Sequence, residues 1–272
     1  MPIEPLLIVE LAALGCATGF LAGLLGIGGG MLMVPFITLA MDHRGVAADV
    51  AVKVAIATSM ATIILTSISS VRAHHQHGAV RWDVVRRLAP GIVAGALFGS
   101  LAVFSLLKGT ALAVVFALFT WASAAQMFFG RKPSPTRQLP GAAGQFGFGA
   151  LIGFASGLLG AGGAFISVPF MTRGNVPIHQ AVATSAALGF PIAVANVAGY
   201  IVSGQSASGL PPGAFGYIWL PALVTIAAAS VLTAPLGARA THRMPVGRLR
   251  QGFAVLLCVL GTYMLWKGLG PR

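Results

Sequence analysis

Apolar residues gather in long runs along this chain, and short polar segments separate them. Most runs approach the roughly 20 residues that a helix needs to cross a bilayer, so we interpret them as membrane helices. Two runs are too short to cross, and each follows a cluster of glycines. The first run lacks a basic leader and a clear cleavage site, so we expect it to be retained rather than removed as a signal peptide. The predicted helices lie at 5–26, 31–41, 50–71, 84–106, 110–129, 142–160, 164–172, 178–202, 215–239 and 249–269.

The stretch "GFLAGLLGIGGGMLMVPF", residues 19–36, is apolar throughout but does not favour one continuous helix. Four glycines stand in its middle and Pro35 follows soon after, and these residue types most disfavour a helix interior. Hydrocarbon offers no water to the backbone groups that a break would free, so a break is tolerated only inside protein or beside a polar cavity. We therefore predict that the short run is a half-helix, or one arm of a re-entrant hairpin.

The same stretch recurs as "GFASGLLGAGGAFISVPF" at residues 153–170, and eleven of the eighteen positions are identical. "KVAIATS" at 53–59 likewise parallels "HQAVATS" at 179–185. Such self-similarity indicates that the chain contains two copies of one unit. The predicted domains are a first membrane repeat at 1–130, a cytoplasmic linker at 131–141 and a second membrane repeat at 142–272.

Positive charge differs between equivalent loops of the two halves. The loop after the third run of the first half is rich in arginine, whereas its counterpart at 203–216 has no charge, and the next pair of loops reverses the contrast. Because positive loops favour the cytoplasm, both contrasts follow if the halves are inserted in opposite directions, as an inverted repeat of five helices each. This arrangement predicts that both termini lie outside. The deciding charges are Arg72, Arg81, Arg86 and Arg87, then Lys108 against Arg239, Arg243, Arg248 and Arg250, and Arg131, Lys132 and Arg137 in the linker.

The composition excludes an ordinary soluble protein. Apolar types make up 57% of the 272 residues and charged types only 8%, whereas soluble domains carry roughly 25% charged residues. We therefore predict an all-α, polytopic integral membrane protein. The net charge of +12 lies in loops and not in a basic patch interleaved with aromatic residues, which argues against nucleic acid as a partner.

Each short run that follows the glycines would begin with free backbone N–H groups. A helix N-terminus favours anions, because unpaired donors and the positive end of the helix dipole coincide there. In inverted halves, two such helix starts can enclose one site near the middle of the membrane. The alternative is close helix packing through small residues, which we favour for Gly19, Gly23, Gly95, Gly99, Gly153 and Gly157. The predicted substrate-binding glycines are Gly26, Gly28, Gly29, Gly30, Gly160, Gly162 and Gly163.

Polar side chains within the membrane runs extend this predicted site. The repeated ATS motif supplies the hydroxyl groups of Thr58, Ser59, Thr184 and Ser185. These hydroxyls either donate to an anion or bond back to a carbonyl of their own helix. Asn196 lies in the middle of a run, where it either binds substrate or forms a hydrogen bond between helices.

A basic residue stands five positions before each ATS threonine, Lys53 in one half and His179 in the other. A lysine near a helix end either extends its charge to the membrane interface or attracts anions to the mouth of a pathway. His179 could also titrate near physiological pH and couple protons to transport. We interpret both residues as candidates for charge attraction or coupling.

Other chemistry has little support in the sequence. His74, His75 and His77 could suggest a metal, but they stand in an arginine-rich loop without a nearby carboxylate or cysteine, so we favour a solvated loop. The five carboxylates lie near membrane edges, and neither a nucleophile–base pair nor a Walker-type phosphate loop is evident. We predict no enzyme activity, no cofactor and no resident metal.

Together these motifs resemble those of the TauE/SafE family, the sulfite-exporter-like membrane transporters. The resemblance rests on the doubled "GFxxGLLGxGGxxxxVPF", the "ATS" after a basic residue and the "HHQHGAVRW" loop, and it covers nearly the whole chain. It implies a bacterial or archaeal inner-membrane carrier, or a eukaryotic relative, that moves sulfite, sulfonates such as sulfoacetate or related organic anions without ATP hydrolysis. The family pattern maps onto Gly26, Gly28, Gly29 and Pro35, onto Gly160, Gly162, Gly163 and Pro169, and onto both ATS motifs.

This chain departs from strict symmetry between its halves at two positions. Gly30 becomes Ala164, and Lys53 becomes His179, so the resemblance does not imply an equal role for both halves. The observations favour a secondary transporter for a small sulfur-containing anion, coupled to protons or sodium. The second hypothesis is a transition-metal or other ion permease, and the third is a non-transporting membrane scaffold. The expected partners are the anion, a coupling ion and the lipid bilayer, and a homo-oligomer stays open.

Overall fold

The computed structural model describes residues 5–25, 29–129, 138–240 and 246–270. The described part of the first half forms five helices: α1 (Pro5–Leu25), α2 (Gly30–Asp42), α3 (Ala48–Gln76), α4 (Trp82–Leu106) and α5 (Gly109–Phe129). The described part of the second half forms α6 (Ala142–Leu159), α7 (Ala164–Arg173), α8 (Ile178–Gly204), β1 (Ala214–Phe215), β2 (Ile218–Trp219), α9 (Leu220–Ala240) and α10 (Val246–Leu269).

Eight of the helices within the described residues are long and apolar enough to cross a membrane. The two short helices, α2 and α7, follow the glycine clusters, as the sequence predicts. The predicted all-α membrane fold is therefore confirmed, with one small departure. The helix predicted from residue 215 begins at Leu220, because Ala214–Phe215 and Ile218–Trp219 pair as an antiparallel hairpin. Gly216, with a φ of 56°, provides the positive φ that such a tight hairpin turn needs.

Glycines bring two pairs of long helices into backbone contact. Gly19 and Gly23 of α1 lie directly against the backbone of Ser230 and Ala234 in α9. In the same way, Gly95 and Gly153 join α4 to α6, where each faces a carbonyl of the opposite helix. A side chain at any of these glycines would overlap the neighbouring helix, so their role is the close packing that small residues permit in membranes.

The order of these contacts shows the relative direction of the helices. Gly15, Gly19 and Gly23 meet successively later residues of α9, so α1 and α9 run parallel, and the contacts of α4 with α6 follow the same pattern. In contrast, α3 and α8 run antiparallel. Ser67 lies beside Gly189, while the residue before α4, Arg81, contacts Thr184 near the start of α8. Opposed directions of equivalent helices are what an inverted repeat requires, and the insertion of the two halves in a membrane stays a prediction.

Helices α3 and α8 are the most buried of the eight long helices and form the centre of the bundle. The outer helices expose large apolar side chains, among them Leu6, Phe129, Val224 and Leu232. So much exposed apolar surface is unfavourable in water but matches the hydrocarbon of a bilayer. The two central helices, which carry the ATS motifs, therefore position the candidate site away from lipid.

An ion pair links the end of α10 to the end of α2. Lys267 Nζ lies 2.7 Å from Asp42 Oδ2, and the Tyr263 hydroxyl donates to the same oxygen at 2.9 Å. The predicted topology, with both termini outside, leaves Lys267 and Arg272 on the outer side, although positive charge favours the cytoplasm. Arg272 lies outside the described residues. Asp42 of α2 neutralises the charge of Lys267. Lys267 therefore does not argue against a C-terminus on the outer side.

Candidate functional site

The two predicted helix breaks have the same backbone geometry. Gly29 and Gly163 immediately precede α2 and α7 and have φ angles of 72° and 74°, a left-handed conformation that glycine adopts without strain. Gly29 lies against Thr18 of α1, and Gly163 lies against Ile152 of α6. Each break therefore returns the chain against the helix before it, and each short helix then packs mainly on the central helix that follows, α2 on α3 and α7 on α8. Gly26 and Gly28 of the predicted site lie outside the described residues.

The break of one half touches the break of the other. Gly30, the first residue of α2, lies against the carbonyl oxygen of Gly160, which ends α6. Ser59 of α3 donates to the same carbonyl oxygen at 3.0 Å and to that of Ile56 at 2.9 Å. A Cβ at position 30 would overlap the Gly160 oxygen. This contact explains why the first half has glycine where the second has Ala164.

Both short helices begin inside the protein, and their first backbone N–H groups have no acceptor within the helix. Leu32 and Met33 N–H bond to the Gly29 carbonyl, and Ile166 and Ser167 N–H bond to that of Gly163. The first N–H groups of each helix precede these bonds and have no partner within their helix. The residues around both starts are buried. These donors and the helix dipoles therefore create two regions of positive potential in the bundle interior.

A narrow cavity adjoins the second break, between the central helices and α1. Its volume is about 10 Å³, close to the minimum space that one water molecule needs. Among the described residues, four hydroxyl groups line it and no charged side chain does. The lining residues are Ala22, Ile63, Thr66, Ser67, Ser70, Gly162, Ser185, Ala186 and Gly189. Of the predicted site residues in the described chain, Gly162 and Ser185 lie at this cavity.

The hydroxyls around the cavity differ in how they are bonded. Thr66 donates to the Thr62 carbonyl at 3.2 Å, and Ser67 donates to that of Ile64 at 3.0 Å. Ser185 accepts a hydrogen bond from Ser167 at 2.9 Å. The Ser70 hydroxyl is buried and has no partner among the described residues. Ser70 therefore offers a donor that its own helix does not use.

Sequence analysis missed Thr66, Ser67 and Ser70 as site residues. Their spacing contains a signal, since positions 63, 66, 67 and 70 share one face of an α-helix. Three hydroxyl residues on one face of a membrane span could have indicated a polar lining. The ATS motif is the stronger pattern in the sequence because it recurs in both halves, and it favours a different set of hydroxyl residues.

The ATS threonines serve as links between the halves. Thr58 Oγ1 accepts a hydrogen bond from the Trp219 backbone N–H at 2.9 Å, at the start of α9. Thr184 Oγ1 accepts one from the Arg81 N–H at 3.0 Å, at the start of α4. Each bond joins the central helix of one half to a long helix of the other. Neither threonine lines the cavity.

The paired basic residues occupy different surroundings. Lys53 is 9% exposed, and its Nζ lies 5.6 Å from the ring centres of both Phe104 and Tyr217. It also donates to the Ser105 carbonyl at 3.4 Å. In contrast, His179 is exposed. Lys53 is thus a buried cation near the N-terminus of α3, where two aromatic rings stabilise it.

Asn196 packs between helices instead of lining the cavity. Its Nδ2 donates to the Ile192 carbonyl at 2.9 Å, and its Oδ1 lies beside Gly157 of α6. The Oδ1 atom is buried and has no hydrogen-bond partner within the described residues. The structure therefore brings Asn196 close to the α6–α8 contact and not to Ser185 or Gly162.

The expectation that the three histidines stand in a solvated loop is wrong for two of them, because α3 continues to Gln76 and includes His74 and His75. His74 is buried, and its Nε2 lies 3.3 Å from the Gly23 carbonyl. His75 contacts Trp82, and His77 Nδ1 lies 2.7 Å from the Ala73 carbonyl. Over the part of the chain that the structure describes, no three side chains of His, Cys, Asp or Glu converge as a metal site would require.

Comparison with known proteins identifies the family to which this architecture belongs. Residues 11–264 match the sequence model described as sulfite exporter TauE/SafE. The chain belongs to this family. No solved structure gives a significant match.

Curated relatives of this TauE/SafE protein agree with the assignment. It is 37% identical to a probable membrane transporter protein of Haemophilus influenzae, over 93% of this chain and 96% of the relative. It is 27% identical to a probable membrane transporter protein of Methanocaldococcus jannaschii, over 96% of this chain and 95% of the relative. A third relative, the probable membrane transporter protein YunE of Bacillus subtilis, is 25% identical over 96% of this chain and 98% of its own. With eight helices in its described residues that are apolar enough to span a membrane, the chain is a multi-pass membrane transporter.

Proposed function

We propose that this protein is a secondary transporter that moves a small, singly charged sulfur-containing anion, such as sulfite in its protonated form or an organic sulfonate, across the inner membrane. The observation that carries this proposal is the hydroxyl-lined cavity beside the second helix break. The first break touches the second through Gly30 and the Gly160 carbonyl. The family description supports the sulfur-containing class. The predicted orientation, with both termini outside, belongs to the same proposal.

The charge around the cavity favours one negative charge on the substrate. Each helix N-terminus is equivalent to about half a positive charge, so two such ends compensate about one negative charge. Within the described part of the chain, no charged side chain lines the cavity. A dianion would therefore retain an uncompensated charge in a region from which water is excluded, which is costly.

Hydroxyl groups complete the proposed binding chemistry. Ser70 supplies an uncommitted donor, and Thr66 and Ser67 can turn their protons from their own helix toward an anion, since hydroxyl rotors adjust to their partners. The first N–H groups of α7 follow Gly162, which lines the same space. Hydrogen bonds to a charged acceptor are the stronger kind, so a few such donors can replace part of the hydration shell.

Transport by this mechanism requires the site to open alternately to each side. The opposed directions of α3 and α8 fit the rocking of one half against the other that inverted repeats perform. The site is closed at about 10 Å³, so it must widen to admit an anion. Coupling to protons or sodium would provide the driving force in the absence of ATP hydrolysis.

A flux assay on the purified protein in proteoliposomes tests this proposal. Sulfite, a sulfonate such as sulfoacetate, thiosulfate, sulfate and a carboxylate are each offered with and without proton and sodium gradients. We expect sulfur-containing monoanions to move and sulfate to move at least about tenfold more slowly, because the second charge is not compensated. If folded protein moves none of the sulfur anions, or moves sulfate equally well, the proposal is wrong. Divalent metal ions in the same vesicles test the permease hypothesis.

A further inference from the structure

A second polar pocket lies apart from the helix breaks. It has a volume of about 240 Å³ and forms where the start of α4, the segment before α6 and the α7–α8 turn meet. This volume approaches that of small-molecule sites and suits a ligand of a few heavy atoms. Its polar lining includes Arg81, Asp83, Arg87, Gln138, Gln145 and Asn175.

The two arginines of this pocket differ in their pairing. Arg81 is bound by Asp83 through two contacts, of 2.9 Å and 2.7 Å, so their charges cancel locally. The Arg87 guanidinium forms no hydrogen bond or ion pair with any described residue. The described side chains that line the pocket therefore leave one positive charge, on a group that binds carboxylate or sulfonate oxygens with two parallel donors.

Gln145 adds a constraint on the ligand. Its Nε2 donates to the Pro140 carbonyl at 2.9 Å. A carbonyl can only accept, so this bond fixes the orientation of the amide and leaves its second N–H and the acceptor Oε1. Oε1 is buried and has no hydrogen-bond partner among the described residues. Because an unsatisfied buried acceptor is unfavourable, a ligand that brings an O–H or N–H group would be preferred.

We propose that this pocket binds a small organic monoanion whose carboxylate or sulfonate group pairs with Arg87 and whose hydroxyl or amino group donates to Gln145. The site goes beyond the proposed transport function, since it shares no lining residue with the cavity at the helix break. A hydrogen bond connects it to the bundle centre, since the Arg81 N–H donates to Thr184, the residue before Ser185.

A thiol at Gln138 reports on occupancy without any transport measurement. Gln138 lines the pocket and is exposed, so Gln138→Cys is introduced with Cys16→Ser and Cys258→Ser in the full chain. The purified protein in lipid nanodiscs is modified with a charged thiol reagent. The probes are 2-hydroxyethanesulfonate, ethanesulfonate, hydroxyacetate and acetate, each titrated for protection of the thiol. Protection that saturates with either acid group supports the site, and protection by none of the four overturns it.

Variants identify the groups responsible. Arg87→Gln should weaken protection by about tenfold or more, as expected for loss of a charge-assisted bidentate contact. Its matched control is Arg86→Gln, which removes the same charge from the adjacent exposed position outside the pocket and should change the apparent affinity by less than about twofold. Equal effects of the two substitutions would show that only general surface charge matters, and the proposal would fail.

Two further variants should each give a result that misfolding would not produce. Asp83→Asn releases Arg81 and should strengthen protection by about threefold or more, since a second guanidinium becomes available. Gln145→Leu should remove the preference for the hydroxylated probes while the plain acids still protect. Weaker protection in Asp83→Asn, or a preference that persists in Gln145→Leu, would contradict the assignment. None of these readouts depends on flux, so failure here leaves the proposed transport function unaffected, and the reverse holds too.

Discussion

The hydroxyl of Thr58 accepts a hydrogen bond from the backbone N–H of Trp219 at 2.9 Å, across the boundary between the two halves of the chain. The equivalent threonine of the second half, Thr184, accepts one from Arg81 at 3.0 Å. In both cases a buried threonine hydroxyl accepts from a backbone N–H group at the start of a long helix, which has no acceptor within that helix. The ATS motif thus fastens each central helix to the opposite half.

This relationship predicts that both threonines stabilise the fold. Thr58→Val or Thr184→Val keeps the shape of the side chain but leaves the Trp219 or Arg81 N–H unsatisfied. Each substitution should lower the free energy of unfolding by about 1–3 kcal/mol, measured as a lower unfolding midpoint in detergent. Thr62→Val is the matched control, because Thr62 donates only to the Thr58 carbonyl of its own helix. Equal losses in all three variants would contradict the linking role.

The contact between the two breaks predicts a strict requirement at position 30. Gly30→Ala adds a Cβ that overlaps the Gly160 carbonyl oxygen, and overpacking of this kind costs about 1–3 kcal/mol. Gly147→Ala provides the comparison, since its Cβ would have open space in α6 and alanine favours helix by about 1 kcal/mol. Thermal unfolding of both variants should move in opposite directions. A tolerant Gly30→Ala variant would show that the breaks do not touch.

The uncommitted hydroxyl of Ser70 predicts a specific effect on transport. Ser70→Ala should raise the substrate concentration for half-maximal flux by about tenfold or more, because a hydrogen bond to a charged group contributes about 1.5–3 kcal/mol. The fold should be little affected, since the hydroxyl has no partner to lose among the described residues.

Ser69→Ala is the control for Ser70, as the adjacent serine donates to the Val231 carbonyl of α9 at 2.9 Å and does not line the cavity. This variant should lose stability and keep the half-saturating concentration. If Ser69→Ala impairs flux as Ser70→Ala does, the cavity is not the binding site.

The buried Lys53 predicts a dependence of transport on charge at one end of α3. Lys53→Met keeps the length and apolar contact of the side chain against Phe104 and Tyr217 but removes the cation. We expect a higher half-saturating concentration, and less sensitivity of flux to added salt, because salt screens the attraction that the cation exerts. Lys53→Arg should retain most of the activity. Identical salt dependence in wild type and Lys53→Met would exclude the attraction.

The sequence determines the breaks in this protein almost completely. Glycines cluster where two short helices must begin, and Gly29 and Gly163 do adopt the left-handed backbone that glycine alone adopts easily. The ten helices follow from run length, and the close helix pairs follow from glycines spaced by four. These features are local, since backbone conformation and helix periodicity depend on residues near in the chain.

Only the tertiary structure decides which polar residues face the cavity. Thr58 and Ser59 are neighbours in one motif, yet successive residues on a helix point about 100° apart. One therefore meets Trp219 and the other meets Gly160, both in the second half. Which helix covers each face is set by packing between distant segments, and no local pattern encodes it. The lining hydroxyls, Ser70 among them, became evident only from that packing.

The same reason separates Lys53 from His179, which the sequence presents as equivalent. The fifteen-residue connection 205–219 places Tyr217 over Lys53, whereas the corresponding connection in the first half, 77–81, has five residues, and His179 is exposed. The sequence by itself therefore determined a doubled bundle of membrane helices with two glycine breaks. The tertiary structure decided which of its polar groups are buried together, because burial depends on which distant segment covers them.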